Sequence, residues 1–588
     1  MNARAAGVRR FLGHRGAPLA WAALAVALTL PSLRVGLVMD DWLLRATVLR
    51  SPALRDILAA PGDLFALIDR HRIRSMIDRG ILPWWIDERM RIAFWRPLTT
   101  WTHVLDYSVW KDSPAIMHGH SLAWLALLVA AAGYLYRRIS APAWVAGLAG
   151  LLYAVDDAHG FAAGWLANRN VLVATFFATL CLFSHDRWRR HAWRPGAALA
   201  PAFLLAALLS SEAAVATGAY LLAHAIFLDT AGIRGRLVGL LPSATVASAW
   251  LVTHRWLGYG ALDASPLYVN PVREPVELAR ALVERGPILL AAQWFRVPAE
   301  AYERLAGPEA WARWLASVAA LALLGLALRP ILRADATARF WGAGHVLAVV
   351  PVTAALLDDR HLFFVGLGAM GLAARFLAGV LEHEPAWTRP AWRRVAATAI
   401  AGALIAIHLL AAPLRLPIAA AAPGALGRLI DGPALTLPED PELARQTVVI
   451  PLVPGPGFFF YTAFVRAAAD RPVPTHMRVL MTGAHAVTLS RLDARTLLVR
   501  PVGGMSPLAL LFWRRDAPPP VGRPIRLTGT SIEVARLTSD GLPAEIVFRF
   551  DVDLEAPSLR WLRWQWHEGQ GRYVPFSPPG IGETVSVQ

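Results

Sequence analysis

The residues best placed to do chemistry are three Asp-Asp pairs, Asp40-Asp41, Asp156-Asp157 and Asp358-Asp359, each beside a long apolar segment. Carboxylates next to a hydrocarbon layer are costly unless they are paired, hydrated or functional. Asp40-Asp41 follows the first apolar run, and Trp42 comes next, in a position suited to an interfacial aromatic belt. A carboxylate at the water boundary can take the proton of an acceptor hydroxyl, and repulsion between adjacent acids raises one pKa toward that task. The same pair also fits a plain end-cap of a span.

Asp156-Asp157-Ala158-His159 is followed closely by Asn168-Arg169-Asn170. Carboxylate, imidazole and guanidinium this close in sequence can bind a divalent metal, orient a phosphate, or hold a loop through an Asp–Arg pair. Asp358-Asp359-Arg360-His361 repeats the chemistry. Arg169 and Arg360 stand in short loops otherwise almost free of arginine, which makes both candidate anion ligands, because guanidinium matches phosphate in a bidentate fork. A salt bridge from Arg360 to a neighbouring Asp is the competing reading. Glu212, after Ser210-Ser211, is a further acid for the same cavity. Arg96, in Trp95-Arg96-Pro97-Leu98-Thr99, is a third phosphate candidate, with Trp95 and Trp101 offering aromatic surface to a sugar or a lipid. Trp84, Trp85 and Trp110 fit belt anchors equally well.

What positions these groups is a membrane bundle. The chain has 588 residues, is 56% hydrophobic and 17% charged, and has a mean hydropathy of +0.43. Those values belong to multi-pass membrane proteins. A net charge of +16 would suggest nucleic acid in a soluble protein. Here the arginines sit in short loops between apolar runs, so topology accounts for the charge and no nucleic-acid partner is expected. Lys111 is the single lysine and lies in no glycine-rich loop, which excludes a P-loop, a kinase-type lysine and Schiff-base chemistry. Cys181 is the single cysteine, so intrachain disulfides, multi-thiolate zinc sites and iron–sulfur clusters are excluded.

About eleven spans are expected, since roughly 20 apolar residues cross the hydrocarbon core and shielded helices need fewer. They are Leu19–Met39, Met117–Tyr136, Pro142–Val155, Asn170–Phe183, Ala197–Leu209, Glu212–Leu228, Leu237–His254, Trp314–Leu328, Phe340–Leu357, Leu362–Leu381 and Val395–Ala412. Alternate loops carry Arg9, Arg10 and Arg15; Arg137 and Arg138; Arg187 to Arg194; Arg234 and Arg236; Arg329 to Arg339; and Arg389 to Arg394. This bias predicts a cytoplasmic amino terminus, an outer carboxyl terminus and all three acidic pairs outside, around one acidic cavity. The apolar run Leu19–Leu30 reads as a retained span rather than a cleaved leader. The predicted division is a transmembrane domain over 1–412 with outer loops 40–116 and 255–313, then a β-rich domain over 413–588. In the first loop, Leu64, Phe65, Leu67, Ile68, Ile73, Met76 and Ile77 have helical spacing and suggest a stretch lying in the interface plane. Strands are expected at Thr447–Val453, Arg478–Met481, Val487–Val502, Ile525–Leu537, Ile546–Val552 and Leu559–Trp566. His476, His485 and His567 show no ligand spacing.

Read together, these motifs resemble those of GT-C multi-pass glycosyltransferases, nearest the TMTC-like and bacterial mannosyltransferase-like branches. The Asp40-Asp41 pair after the first span is part of that pattern, and Trp95-Arg96-Pro97-Leu98-Thr99 is similar to the family's YRPLT stretch. Tyr153 to His159, continuing to Trp165-Leu166-Ala167-Asn168-Arg169-Asn170, resembles the HPVH…W..GR.D segment. Leu208-Leu209-Ser210-Ser211-Glu212 resembles LLSKE, and Asp359-Arg360-His361 resembles ERY. Asp156 and Asp157 stand where the family has His-Pro, Ser211 where it has Lys and His361 where it has Tyr; the tetratricopeptide tail is replaced by the β-rich domain. The resemblance spans roughly residues 19–380. It implies inverting transfer from a polyprenyl-phosphate sugar, at a bacterial inner membrane, to an extracytoplasmic glycan, lipid or protein. Asp40 would be the base, Asp41 its partner, and Arg96, Arg169 and Arg360 would stabilise the leaving phosphate. The remaining cavity residues would be Asp156, Asp157, His159, Glu212, Asp358, Asp359 and His361. No nucleotide site and no cofactor are required, with a divalent metal at the acids as the optional addition.

Two other classes fit parts of the pattern. A transporter or flippase would place its acids at the membrane midplane and expose them to both sides. A non-catalytic scaffold would disperse them over the rim and use the β domain to bind a partner.

Overall fold

The computed structural model describes residues 3–264, 267–384, 391–505, 512–513 and 518–588. The chain divides into two compact units. One comprises Met1–Gly36, Phe94–Gly260 and Val269–Pro423; the other comprises Leu37–Ala93, Ala261–Tyr268 and Gly424–Gln588.

The first unit is helical, and each of the eleven expected spans contains a helix, although Leu19–Met39 is helical only to Arg34 and Phe340–Leu357 only to Val352. Seven helical stretches among the described residues are long and apolar enough to cross a membrane: Ala17–Arg34, Pro114–Ile139, Leu166–His191, Ile233–Trp256, Gly307–Ala334, Phe363–Leu381 and Ala391–Thr436. Ala143–Ala154, Gly196–Leu208 and Glu212–Phe227 are shorter apolar helices. The protein is therefore a multi-pass membrane protein. Burial separates its helices by role. Phe363–Leu381 is 83% buried and forms the centre of the unit, whereas Ile233–Trp256 and Gly307–Ala334 are 22% buried and present apolar side chains outward, as lipid-facing helices do. The centre is dense in Gly and Ala, which lets backbones approach closely where no hydrophobic effect drives helices together.

Two helical features depart from expectation. The predicted outer loop 255–313 contains a 21-residue helix, Pro275–Phe295. Its first half is charged and exposed and Pro287 interrupts it, so the apolar period is visible only in the buried run from Ile288 to Trp294. The last helical segment continues past residue 412 to Ile430, carrying Pro417 and Pro423 within it, and it contains a π turn at Ala406–Ala411. A π turn is the expected relief where a helix carries an inserted residue, and such turns are frequent at functional sites.

The second unit holds the strands. Three short ones are β1 (Ala66–Ile68), β2 (Arg91–Ala93) and β3 (Gly260–Leu262). The tail contributes β4 (Thr447–Val453), β5 (His476–Thr482), β6 (Ala484–Arg491), β7 (Thr496–Met505), β8 (Ile525–Leu527), β9 (Thr530–Leu537), β10 (Pro543–Phe550), β11 (Leu559–His567), β12 (Gln570–Pro575) and β13 (Thr584–Val587). One sheet runs β13-β6-β7-β10-β9-β8 and a second runs β12-β11-β4-β5. The first is antiparallel; in the second β4 pairs in parallel with both β5 and β11. Parallel neighbours need a crossover, and the helices Gly457–Phe460 and Thr462–Ala468 lie in the one between β4 and β5.

Two expected long strands are hairpins instead. The run 487–502 is split between β6 and β7, and 525–537 between β8 and β9, the latter turning at Gly529 with φ +72°. On β9, Thr530, Ile532 and Val534 are buried and alternate with more exposed neighbours, as a strand with one core face must. Gly571 is required on β12 because the Trp564 ring of β11 occupies the space a Cβ would need.

The helical stretch expected in the interface plane is also corrected. Leu64, Phe65, Ile68, Ile73, Met76 and Ile77 are all at most 4% exposed, Ala66–Ile68 is a strand, and only Ile73–Asp78 is helical. Trp84 and Trp85 join the β-sheet core with Val449, Leu480 and Phe548, and the Trp84 indole N–H donates to the Leu480 carbonyl at 3.2 Å. The side chains from Leu64 to Ile77 have the spacing of a lipid-facing stretch, but protein covers them.

Candidate functional site

In the second unit, Asp40 and Asp41 open the helix Asp40–Val48, and the two carboxylates have different jobs. The preceding turn is closed by the Asp41 N–H donating to the Val38 carbonyl at 3.0 Å, and by the Val38 N–H donating to Asp41 Oδ2 at 3.1 Å. Asp41 is 0% exposed and acts as a bracket for its own turn. Asp40 is half-buried, and its Oδ1 accepts from the Tyr461 hydroxyl at 2.8 Å. At a helix amino terminus the macrodipole favours the ionised carboxylate, the form a base requires.

Met39, immediately before Asp40, has φ +50° and ψ −119°. That is glycine territory, and a residue with a Cβ there carries about 1–3 kcal/mol of strain. Asp431 holds it: its Oδ2 accepts from the Met39 N–H at 2.8 Å and from the Trp42 indole N–H at 3.1 Å. Gly427, one helical turn earlier, has no Cβ and so admits the Val38 side chain. Asp431→Ala is expected to cost about 1–3 kcal/mol, because the buried Met39 N–H loses its acceptor. A lowered thermal midpoint of the purified protein is the measurement; an unchanged midpoint would show that the turn holds itself.

In the first unit, three groups of candidate residues form. The first surrounds Arg296, which ends the helix Pro275–Phe295 in a left-handed conformation, φ +56°. The guanidinium is 3% exposed and pairs with Asp156 at 2.9 Å and with Asp157. Gln293 donates to Asp156 Oδ2 at 2.8 Å, and Arg415 pairs with Asp157 at 3.2 Å. Asp359 accepts from the Ala299 N–H at 3.0 Å and acts electrostatically on Arg296. His408, in the π turn, bonds the Trp294 carbonyl at 3.1 Å.

Burial would raise all three acids, and their surroundings then separate them. Arg296 and the Gln293 amide outweigh burial and hold Asp156 below the usual carboxylate range. Asp157, beside Asp156, stays raised. Burial, only partly offset by Arg296, pushes Asp359 up to about 7. His159 acts electrostatically on Asp156, and its ring lies edge-on to Tyr153 and stacked on Phe363, at centroid distances of 4.6 and 4.5 Å.

The second group is two ion pairs, Arg96 with Glu212 and Arg360 with Asp358 beside His361, on which both guanidiniums act electrostatically. Arg96 Nε donates to Glu212 Oε2 at 2.8 Å, the Trp95 N–H donates to Oε1 at 2.9 Å, and His254 lies 3.7 Å from Oε1. Arg360 lies 4.9 Å from the Trp165 ring centroid and 3.3 Å from Asp358, whose Oδ1 also accepts the Arg360 N–H. Desolvation, then Arg360, push the pKa of His361 down, with Asp358 opposing and Arg96 adding a smaller push.

Arg169 is different. Its side chain is 0% exposed; it pairs with Asp106, and donates to Ser121 Oγ at 2.9 Å and to the Met117 carbonyl at 2.9 Å. Asp106 also meets His120 Nδ1 at 2.8 Å.

Sequence reasoning missed Arg296, Gln293, Arg415, Asp431 and Tyr461. An arginine directly after the apolar run Ile288–Phe295 was the available signal for Arg296. Nothing local marks Asp431, which meets Met39 across 392 residues.

The donor set at Asp156 and Asp157 does not suit a divalent metal. Both carboxylates already face Arg296, and among the described residues no three His, Cys, Asp or Glu side chains are grouped to hold one.

No family model matches the chain, and no curated protein matches it. Among solved structures it is similar to the oligosaccharyltransferase of Archaeoglobus fulgidus in the apo form, at 13% identity over 79% of this chain and 65% of that one, with a TM-score of 0.38. It is similar to ArnT from Cupriavidus metallidurans in the apo state, at 12% identity over 79% of this chain and 85% of that one, with a TM-score of 0.37. The archaeal oligosaccharyltransferase AglB in complex with an inhibitory peptide and a dolichol-phosphate also matches, at 11% identity over 78% and 64% of the two chains, with a TM-score of 0.37. The chain spans less than two thirds of the length of the archaeal enzyme.

Proposed function

We propose that the protein is an integral membrane glycosyltransferase that moves a sugar from a polyprenyl-phosphate carrier to an extracytoplasmic acceptor, with inversion. The observation that carries the reading is the inequality of the first acidic pair. Asp41 is folded into its own turn, while Asp40 is half-buried on a helix amino terminus and accepts a tyrosine hydroxyl. The motif order from Asp40 to His361, which resembles GT-C glycosyltransferases, supports the same reading.

In this mechanism Asp40 accepts the acceptor's proton as its oxygen or nitrogen attacks the anomeric carbon. The bond from that carbon to the phosphate oxygen breaks on the opposite face, and the polyprenyl phosphate leaves with the electron pair. Arg96 and Arg360 are assigned to the phosphate, as the motif resemblance implies. Arg169 is assigned to holding Asp106 and the surrounding helices. The bundle lies in a bacterial inner membrane with the amino terminus cytoplasmic, following the arginine bias. The acceptor is a glycan, a lipid or a protein.

The test is consumption of a polyprenyl-phosphate sugar by the purified chain in lipid nanodiscs, with the anomeric configuration of the product read by NMR. Arg96→Ala and Arg360→Ala are each expected to slow transfer by about 10²–10³-fold, the loss seen when one stabilising donor is removed from a developing charge. Retained configuration would refute the single displacement. Wild-type rates in both variants would remove the phosphate assignment.

A further inference from the structure

We propose that Arg296 is a tethered cation, its guanidinium set against Asp156 and Asp157, where two adjacent buried carboxylates would otherwise need a bound cation. Two adjacent buried carboxylates cannot both stay ionised without a positive partner, because desolvation and mutual repulsion both oppose their charge. A metal is one solution and a guanidinium is another. Here the guanidinium is covalently attached and positioned by its own helix end.

Several independent features hold it there. The left-handed backbone at Arg296 turns the chain out of the helix at the point where the side chain meets the acids. The Arg296 carbonyl accepts from Arg415 Nη1 at 3.0 Å, and Arg415 in turn reaches Asp157. Gln293, one turn back on the same helix, fixes the other oxygen of Asp156. The backbone at Gly366 also comes close, since a Cβ there would lie 3.3 Å from Asp156 Oδ2 and 3.1 Å from Gln293 Oε1. Acids, cation and a second guanidinium therefore form one assembled unit.

The consequence is a chain that needs no added cation at this corner but acquires a need for one when Arg296 is removed. The experiment uses the full chain in detergent, with thermal midpoint and Mn²⁺ binding by EPR as readouts. For the wild type, Mn²⁺ and EDTA are expected to leave the midpoint unchanged. Arg296→Ala is expected to lower the midpoint and to gain a saturable Mn²⁺ site that restores it. R296A/D156N is expected to lose that response.

A wild type that is stabilised by Mn²⁺, and loses the effect in D156N, would overturn the inference. So would a folded R296A that ignores Mn²⁺. Should R296A not fold, R296Q/D156N/D157N decides the matter, since it removes the cation together with its counter-charges and is expected to regain a folding transition. A triple variant as unfolded as R296A would show that Arg296 is held for packing alone. These readouts are independent of sugar transfer, so they stand or fall separately from the proposed activity.

Discussion

Asp40→Asn is expected to lower turnover by about 10²–10⁴-fold, the usual contribution of a positioned general base. The substitution keeps the shape of the side chain and one acceptor oxygen for Tyr461, so the thermal midpoint is expected to hold. Asp41→Asn is the informative contrast. Asp41 closes the turn through Val38, and its oxygens are buried, so its loss is expected in stability first. Measured together, the two variants separate proton transfer from scaffolding within one dipeptide. Near-normal transfer by D40N at normal expression would remove Asp40 from the mechanism. A pH–rate profile adds a second criterion, because D40N should lose the acidic limb that the wild type shows.

Arg169→Ala is expected to destabilise the bundle by about 3–5 kcal/mol, the cost of leaving a buried charge without its partner. Asp106 would stay enclosed with only His120 to meet it, while Ser121 and the Met117 carbonyl would lose a donor. Replacing both charges, as in R169M/D106N, is expected to cost less than R169A alone, since no uncompensated ion then remains. The alternative outcome is equally definite. An R169A protein with a wild-type midpoint and only a raised KM for the donor would return Arg169 to the phosphate-binding set.

The spans were legible because crossing hydrocarbon demands long apolar runs, and each expected run contains a helix. The β strands were legible where one face is buried, as on β9. Hairpins inside one strand-like run were not, because their turns are short, residues 492–495 in one and 528–529 in the other. The helix Pro275–Phe295 was hidden by a charged first half and by Pro287, and the extension to Ile430 by its prolines. At the candidate site, local sequence announced the acids and missed what they touch. Asp156 and Asp157 are conspicuous as a pair, but Arg296 and Arg415 reach them from remote helices. The helical spacing of Leu64 to Ile77 was genuine, but spacing alone does not distinguish a face covered by lipid from one covered by protein.

The composition of the second unit has a consequence for the order in which the chain is made. Trp84 and Trp85 emerge early, yet the sheets that bury them begin only after Gly424. Between Ala93 and Gly424 lie roughly 330 residues, most of them bound for the membrane. At about 5–20 residues per second, that is roughly 20–70 s during which a tryptophan-rich segment waits for its partner. Throughout that interval it is a client for a holding factor or the membrane surface, and a chain truncated before Gly424 would never release it.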